Sequence, residues 1–92
     1  LLALSLRCPP EAMLRLPLFE ADVWRARLGF APALPPGGAE LAQAVGRAAA
    51  ERPAVWMAGH GLCCAGEDLT GALALAEELE HLAAVQLLTL DK

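Results

Sequence analysis

The segment from Ala54 to Leu69 places the strongest constraint on the fold, because it contains two short apolar runs separated by a histidine between glycines. A continuous apolar run such as Ala54–Ala58 is typical of a strand that is covered on both faces. The second run, Leu62–Ala65, follows directly after Gly59-His60-Gly61, so we expect the two strands to pair antiparallel and to bend at the histidine. The glycines allow the backbone to turn and allow another group to approach the imidazole closely.

Helical spacing of apolar residues predicts two long helices. The first spans about Ala39–Glu51 and follows a loop that is rich in proline and glycine; its predicted packing face consists of Leu41, Ala44, Val45 and Ala48. The second begins after Asp68, whose carboxylate is suited to cap the free amides of the first helical turn. Its predicted buried stripe consists of Leu69, Ala72, Leu73, Ala76, Leu79, Ala83, Gln86, Leu87 and Leu90.

The first third of the chain is less regular. We expect Leu1–Cys8 to form a buried strand that ends at the following prolines, Glu11–Leu16 to form a short helix, and Asp22–Leu28 to form another. The chain begins with Leu inside an apolar run, and we interpret it as a piece of a longer protein. Together these elements predict an α/β fold in which a mostly antiparallel sheet is flanked by helices.

Composition excludes several classes of protein. Hydrophobic residues make up 57% of the 92 residues, above the roughly 45–50% of ordinary domains, so we expect other protein surface to cover part of this chain. Acidic residues interrupt the longest apolar stretch, which argues against a membrane span. The net charge of −4 argues against nucleic acid as a partner. Three cysteines, two of them adjacent, suit a reducing compartment, and we expect a cytoplasmic protein.

His60 is the candidate functional residue. An imidazole between two glycines at the end of a buried strand is a good metal ligand or acid–base group. A histidine that only satisfies a structural hydrogen bond is about as common, and no complete motif surrounds this one. The residues alone therefore leave both readings open.

The other side chains that could carry chemistry are better explained by structure. Cys63 and Cys64 would point to opposite faces of a strand, and we interpret both as small buried hydrophobic residues. Glu80 lies close to the apolar stripe of the last helix, where we expect it to pair with an arginine rather than to flank a site. We interpret His81 as an exposed helical partner of Glu77.

Several segments together resemble the C-terminal part of class II aldolase/adducin domains, over about residues 32–92. These segments are Pro35-Pro36-Gly37-Gly38, Glu40-Leu41-Ala42, Gly59-His60-Gly61, Gly66-Glu67-Asp68-Leu69 and the long helix that follows them. The resemblance implies a three-layer α/β/α sandwich with a mostly antiparallel central sheet. Residues 1–92 would form the C-terminal portion of one such domain.

The resemblance implies that His60 is the third ligand of a catalytic zinc ion, the other two ligands being an upstream His-x-His. In this chain Gly59 stands where the family usually has Asn. The chain has only two histidines and no His-x-His, so ligands outside it would complete the Zn²⁺ site. No catalytic base and no cofactor-binding residue can be carried over to this sequence.

The activity implied by the resemblance is that of a lyase of carbohydrate metabolism. Such an enzyme would cleave a carbon–carbon bond in a small, often phosphorylated hydroxy-ketose, and it would work as a homotetramer. Epimerases, dehydratases and decarboxylases use the same metal site. Two alternatives remain open, namely a metal-free adducin-like protein-interaction module and an inactive fragment. An upstream His-x-His would favour the enzyme, and its absence would favour the module.

Overall fold

The computed structural model describes residues 1–90, which form a three-stranded sheet packed by helices. The elements in chain order are α1 (Leu2–Ser5), a short 3-10 helix (Pro10–Ala12), α2 (Phe19–Arg25), β1 (Leu28–Ala31), α3 (Ala39–Ala49), β2 (Ala54–Met57), β3 (Gly61–Cys64) and α4 (Leu69–Thr89). Within the described residues, none of the helices is both long enough and apolar enough to cross a membrane.

The sheet has the strand order β1-β2-β3 and is mixed rather than mostly antiparallel. The strands β2 and β3 pair antiparallel as predicted, with Met57 opposite Gly61. The strands β1 and β2 pair parallel, with Leu28 opposite Ala54. Parallel neighbours need a long crossover connection, and α3 supplies it here. The α/β class is therefore confirmed, whereas the predicted predominance of antiparallel pairing is not observed in these three strands.

Helices pack on both faces of the sheet. On one face, Val55 and Ala31 form a small core with Ala44 of α3. On the other face, alternate residues of the same strands join a larger core with α1, α2 and α4. The buried members of that larger core are Leu1, Leu4, Met13, Leu14, Ala21, Leu28, Ala54, Trp56, Leu75, Leu79, Leu82 and Ala83. The alternation along β2 is that of a strand covered on both faces, as the apolar run predicted.

The N-terminal residues are helical where a strand was expected. Leu1 and Leu4 are buried, whereas Leu2 and Leu6 are exposed. This spacing of three is helical and places one edge of α1 against the core, whereas a strand would bury alternate residues. The helix expected over Glu11–Leu16 is limited to the 3-10 helix, and the backbone is extended again at Met13.

The chain between the first prolines and the loop before α3 also differs from the prediction. The helix predicted over Asp22–Leu28 is present but earlier, as α2, and Leu28 already belongs to the strand β1. The strand β1 itself was not predicted. Its segment, Leu28–Ala31, is only four residues long, contains a glycine and is followed directly by Pro32, so it gives a weak strand signal.

The long helix α4 begins as predicted, and the predicted burial of Leu79, Ala83 and Gln86 is confirmed, but the buried face is rotated relative to the rest of the predicted stripe. The Asp68 carboxylate accepts a hydrogen bond of 2.8 Å from the Gly71 amide, which makes Asp68 the N-cap. The buried residues are Leu75, Leu79, Leu82, Ala83 and Gln86. In contrast, Leu69 is 89% exposed and Leu73 is 59% exposed, so their assignment to the buried stripe was wrong. Leucines occur on every side of this helix, so the sequence pattern identified only part of its buried face.

Candidate functional site

His60 lies in the tight turn that joins β2 to β3. The His60 amide donates a hydrogen bond of 2.8 Å to the Met57 carbonyl, which closes a four-residue turn. Gly59, the third residue of that turn, has φ of 80°, the positive value that a type II turn requires. A Cβ added at Gly59 would have no other atom within 4 Å. The requirement for glycine is therefore torsional, and the backbone conformation of Gly59 places His60 at the end of the strand.

The His60 imidazole is exposed and is held by a main-chain oxygen. Its Nε2 lies 2.7 Å from the carbonyl oxygen of Leu34. A carbonyl oxygen can only accept, so Nε2 carries the proton in this arrangement. In the neutral ring the lone pair is then on Nδ1, which is the nitrogen left available to another group.

The topology explains why Leu34 and His60 meet. Leu34 belongs to the loop that follows β1, and His60 belongs to the turn that follows β2. These strands are parallel, so the segments that leave their carboxyl ends emerge at the same edge of the sheet. This edge is where open α/β sheets generally bind ligands. Gly37 of the same loop also has a positive φ, of 78°, and Gly38 is the N-cap of α3.

The two adjacent cysteines do point to opposite faces of β3. Cys64 is half-buried against the larger core, but Cys63 is exposed, so its assignment as a buried residue was wrong. Burial raises the pKa of the Cys64 thiol, and the neighbouring Cys63 and Glu80 raise it further. Neither thiol joins His60 in a metal-binding group in the part of the chain that the structure describes.

The remaining candidates lie away from His60. The Glu80 carboxylate lies 2.5 Å from the main-chain nitrogen of Leu1, and the expected pairing with an arginine is not formed within residues 1–90. The Glu80 side chain is 52% exposed. His81 is exposed on α4 as predicted, and no ion pair with Glu77 is formed within residues 1–90.

A metal site would need ligands in addition to His60. Across residues 1–90 no group of three or more His, Cys, Asp or Glu side chains is arranged to hold a metal ion. His60 itself has the features of one such ligand. It is accessible, it has a free ring nitrogen, and its other nitrogen is oriented by a backbone carbonyl, which is how ligating histidines are commonly held.

Sequence reasoning missed the contribution of Leu34. Its carbonyl could belong to any residue type, so no side-chain pattern identifies it. The segment after Leu34 is rich in proline and glycine. This composition indicates a loop but does not identify a partner for His60.

The fold and the site thus define an α/β domain with a histidine presented at the carboxyl edge of its sheet. The chain belongs to the Class II Aldolase and Adducin N-terminal domain family, whose sequence model matches residues 2–87. The resemblance seen over residues 32–92 is confirmed, and the match also includes the N-terminal third of the chain. No curated protein and no solved structure matches the chain.

Proposed function

We propose that this chain is part of a metal-dependent class II aldolase-type lyase and that His60 is one of the metal ligands. The observation that carries the proposal is the exposed imidazole at the carboxyl end of β2, oriented by the Leu34 carbonyl, in a chain of this family. A catalytic zinc ion commonly has three protein ligands and one open position. In this proposal His60 supplies one of them, and ligands outside this chain would supply the others.

Gly59 and Leu34 of this chain hold the His60 imidazole in position for a metal ion. Gly59 gives the turn its positive φ, and the Leu34 carbonyl fixes the rotation of the imidazole ring and the location of its proton. When bound, the metal supplies Lewis-acid stabilisation of negative charge that develops on a substrate oxygen. His60 has no acid–base role in this scheme, because its free nitrogen is used as a ligand.

The proposed substrate class is a small, often phosphorylated hydroxy-ketose, and the proposed assembly is a homo-oligomer in a cytoplasmic setting. The surface supports an assembly, because several large apolar side chains are exposed. Phe19 is 94%, Leu69 is 89% and Leu88 is 81% exposed. Exposed apolar surface of this kind marks contacts with other protein, which here would be the remainder of the three-layer domain and neighbouring subunits. The three free thiols suit a reducing compartment.

The test is metal retention by the complete protein that contains this chain. We expect His60→Ala to lose most of the bound metal and the lyase activity while the circular dichroism spectrum is unchanged, because the exposed imidazole adds little to packing. His81→Ala removes the other histidine, which is exposed on α4, and should retain both metal and activity. Retention of metal by His60→Ala would refute the ligand role. A wild-type protein that binds no metal would favour the adducin-like module.

A further inference from the structure

Two main-chain carbonyls hold His60, and both belong to residues whose side chains pack against the small core between the sheet and α3. The Met57 carbonyl accepts the hydrogen bond from the His60 amide, and the Leu34 carbonyl lies 2.7 Å from Nε2 of the ring. The side chains of Leu34 and Met57 are both half-buried against this small core. The backbone and the ring of the histidine are therefore attached to the same packing layer.

The two carbonyls are fixed in different ways. Met57 belongs to β2 and is paired on both sides, opposite Ala31 of β1 and Gly61 of β3. Leu34 has no such ladder, because it lies in the loop after β1, outside every helix and strand of residues 1–90. The position of the Leu34 carbonyl must therefore depend on other constraints.

The first of these constraints is the burial of the Leu34 side chain. Within the loop formed by residues 32–38, Leu34 is half-buried, whereas the other residues are exposed. Burial of an apolar side chain is favourable and opposes displacement of the backbone that carries it. Leu34 therefore attaches an otherwise exposed loop to the small core at the point where the loop meets His60.

The second constraint is Pro35, which follows Leu34 directly. A proline disfavours the helical conformation of the residue before it and restricts that residue to extended torsions. The Leu34 carbonyl belongs to the peptide bond that leads to Pro35, so its direction is restricted as well. Burial thus fixes where Leu34 lies, and Pro35 limits where its carbonyl points.

We infer that Leu34 is a positioning residue for the metal ligand, and that its buried side chain acts through its own carbonyl and the His60 ring. This role rests on the proposed function, in which His60 binds the metal. The carbonyl limits rotation of the ring in the metal-free protein, so less motion has to be lost on binding. Loss of a group that orients a ligating histidine typically weakens metal affinity by about 10- to 100-fold.

The contacts of Leu34 are internal to this chain. The packing of its side chain and its hydrogen bond to the His60 ring are both made within residues 1–90. Neither contact requires a surface that the remainder of the domain would cover. Protein that packs on this chain can therefore complete the metal site without replacing these contacts.

The first test compares Leu34→Ala with Val45→Ala in the complete protein that contains this chain. Val45 is half-buried against the same small core, but it lies in α3 rather than in the loop that contacts His60. Both variants should lose stability in thermal unfolding, because each removes apolar burial. Only Leu34→Ala should also weaken Zn²⁺ binding, by about tenfold, as measured by competition with a chromogenic chelator. Leu34→Met should restore most of the affinity, and equal affinities of the two alanine variants would overturn the proposal.

The second test changes the direction of the carbonyl without removing a buried side chain. Pro35 and Pro36 are both exposed, but only Pro35 restricts the torsions of Leu34. Pro35→Ala should weaken Zn²⁺ binding by about two- to fivefold, because Leu34 gains conformational freedom. Pro36→Ala is the matched control and should leave the affinity unchanged. Equal losses in the two variants would contradict a specific role of the Leu34 carbonyl.

The third test examines the ring in the metal-free complete protein, so its result does not depend on the lyase proposal. NMR relaxation of the His60 ring carbons reports motion on the picosecond to nanosecond timescale. We expect an ordered ring in the wild type and in Val45→Ala, and a mobile ring in Leu34→Ala. Equal ring order in all three proteins would overturn the positioning role even if His60 binds zinc. Loss of order in Leu34→Ala, in a protein whose wild type binds no Zn²⁺, would instead refute the proposed function and retain Leu34 as the residue that orients the ring.

Discussion

The side chain of Gln86 holds the backbone around Leu14. Its Oε1 accepts a hydrogen bond of 2.5 Å from the Leu14 amide, and its Nε2 donates one of 2.8 Å to the Ala12 carbonyl. Leu14 is fully buried and has φ of 63°, a left-handed conformation that costs a non-glycine residue about 1–2 kcal/mol. The buried Gln86 amide satisfies two main-chain groups in a segment that no regular element stabilises.

We expect Gln86→Leu to destabilise the fold strongly, although it conserves size and adds apolar surface. The substitution leaves the buried Leu14 amide without its partner and leaves the Ala12 carbonyl only the long 3.4 Å hydrogen bond from the Arg15 amide. A buried main-chain group without a partner costs about 1–3 kcal/mol. Gln43→Leu is the matched control, because Gln43 is exposed on α3, and it should change the free energy of unfolding by less than about 0.5 kcal/mol. Urea unfolding of both variants gives the comparison, and similar values would contradict the role of Gln86.

The orientation of α4 predicts a contrast between two of its leucines. Leu79 is fully buried and Leu73 is 59% exposed. Leu79→Ala should lower the free energy of unfolding by about 2–5 kcal/mol, because it removes apolar burial and leaves a cavity. Leu73→Ala should change it by less than about 1 kcal/mol when the chain is measured alone. Thermal unfolding is the measurement, and a greater loss for Leu73→Ala would show that the helix faces the other way.

The turn before His60 predicts a contrast between its two glycines. Gly59 has a positive φ, whereas Gly61 lies in β3 with an ordinary one. An added Cβ meets nothing within 4 Å at either position, so the two alanine substitutions differ only in the backbone φ that the alanine must adopt. Gly59→Ala should cost about 1–2 kcal/mol, and Gly61→Ala should be nearly neutral. Chemical unfolding of both variants is the measurement, and the NMR resonances of the His60 ring provide a local probe of the turn. An equal loss of stability in the two variants would contradict this turn conformation.

The two cysteines of β3 should differ in their reaction with iodoacetamide. Cys63 is exposed, whereas burial raises the pKa of the half-buried Cys64. A raised pKa means a smaller thiolate fraction near pH 8, and the thiolate is the reactive form. Cys63 should therefore be alkylated first, and the rate at Cys64 should continue to increase at higher pH. Peptide mass spectrometry resolves the two sites if the chain is digested between them after labelling, and faster reaction at Cys64 would contradict the assignment.

Local signals in the sequence predicted the elements around His60. The apolar runs and glycines gave the antiparallel pair β2 and β3, and the spacing of apolar residues gave α3. Asp68 was predicted as an N-cap because its interaction involves only the next few residues. These features depend on short stretches of chain, so the sequence contains the information that specifies them.

The features that the sequence did not reveal depend on distant contacts. The burial of Leu79 was predicted, but nothing local shows that Leu75 and Leu82, rather than Leu69 and Leu73, complete the buried face of α4. The strand character of Leu28–Ala31 depends on pairing with β2, and the partner of the His60 ring is a carbonyl 26 positions earlier in the chain. Tertiary packing decides such features, and it outweighs weak local preference.

The parallel pairing of β1 and β2 has a consequence for how this domain can change by mutation. The positions of Leu34 and His60 are set by the strands that precede them, whereas the whole of α3 intervenes between them along the chain. Substitutions on the outer surface of that helix, or changes in the length of the loop after Leu34, can therefore accumulate without separating the two groups. The contact between His60 and the Leu34 carbonyl therefore depends on the sheet, and the outer surface of α3 can change without breaking it.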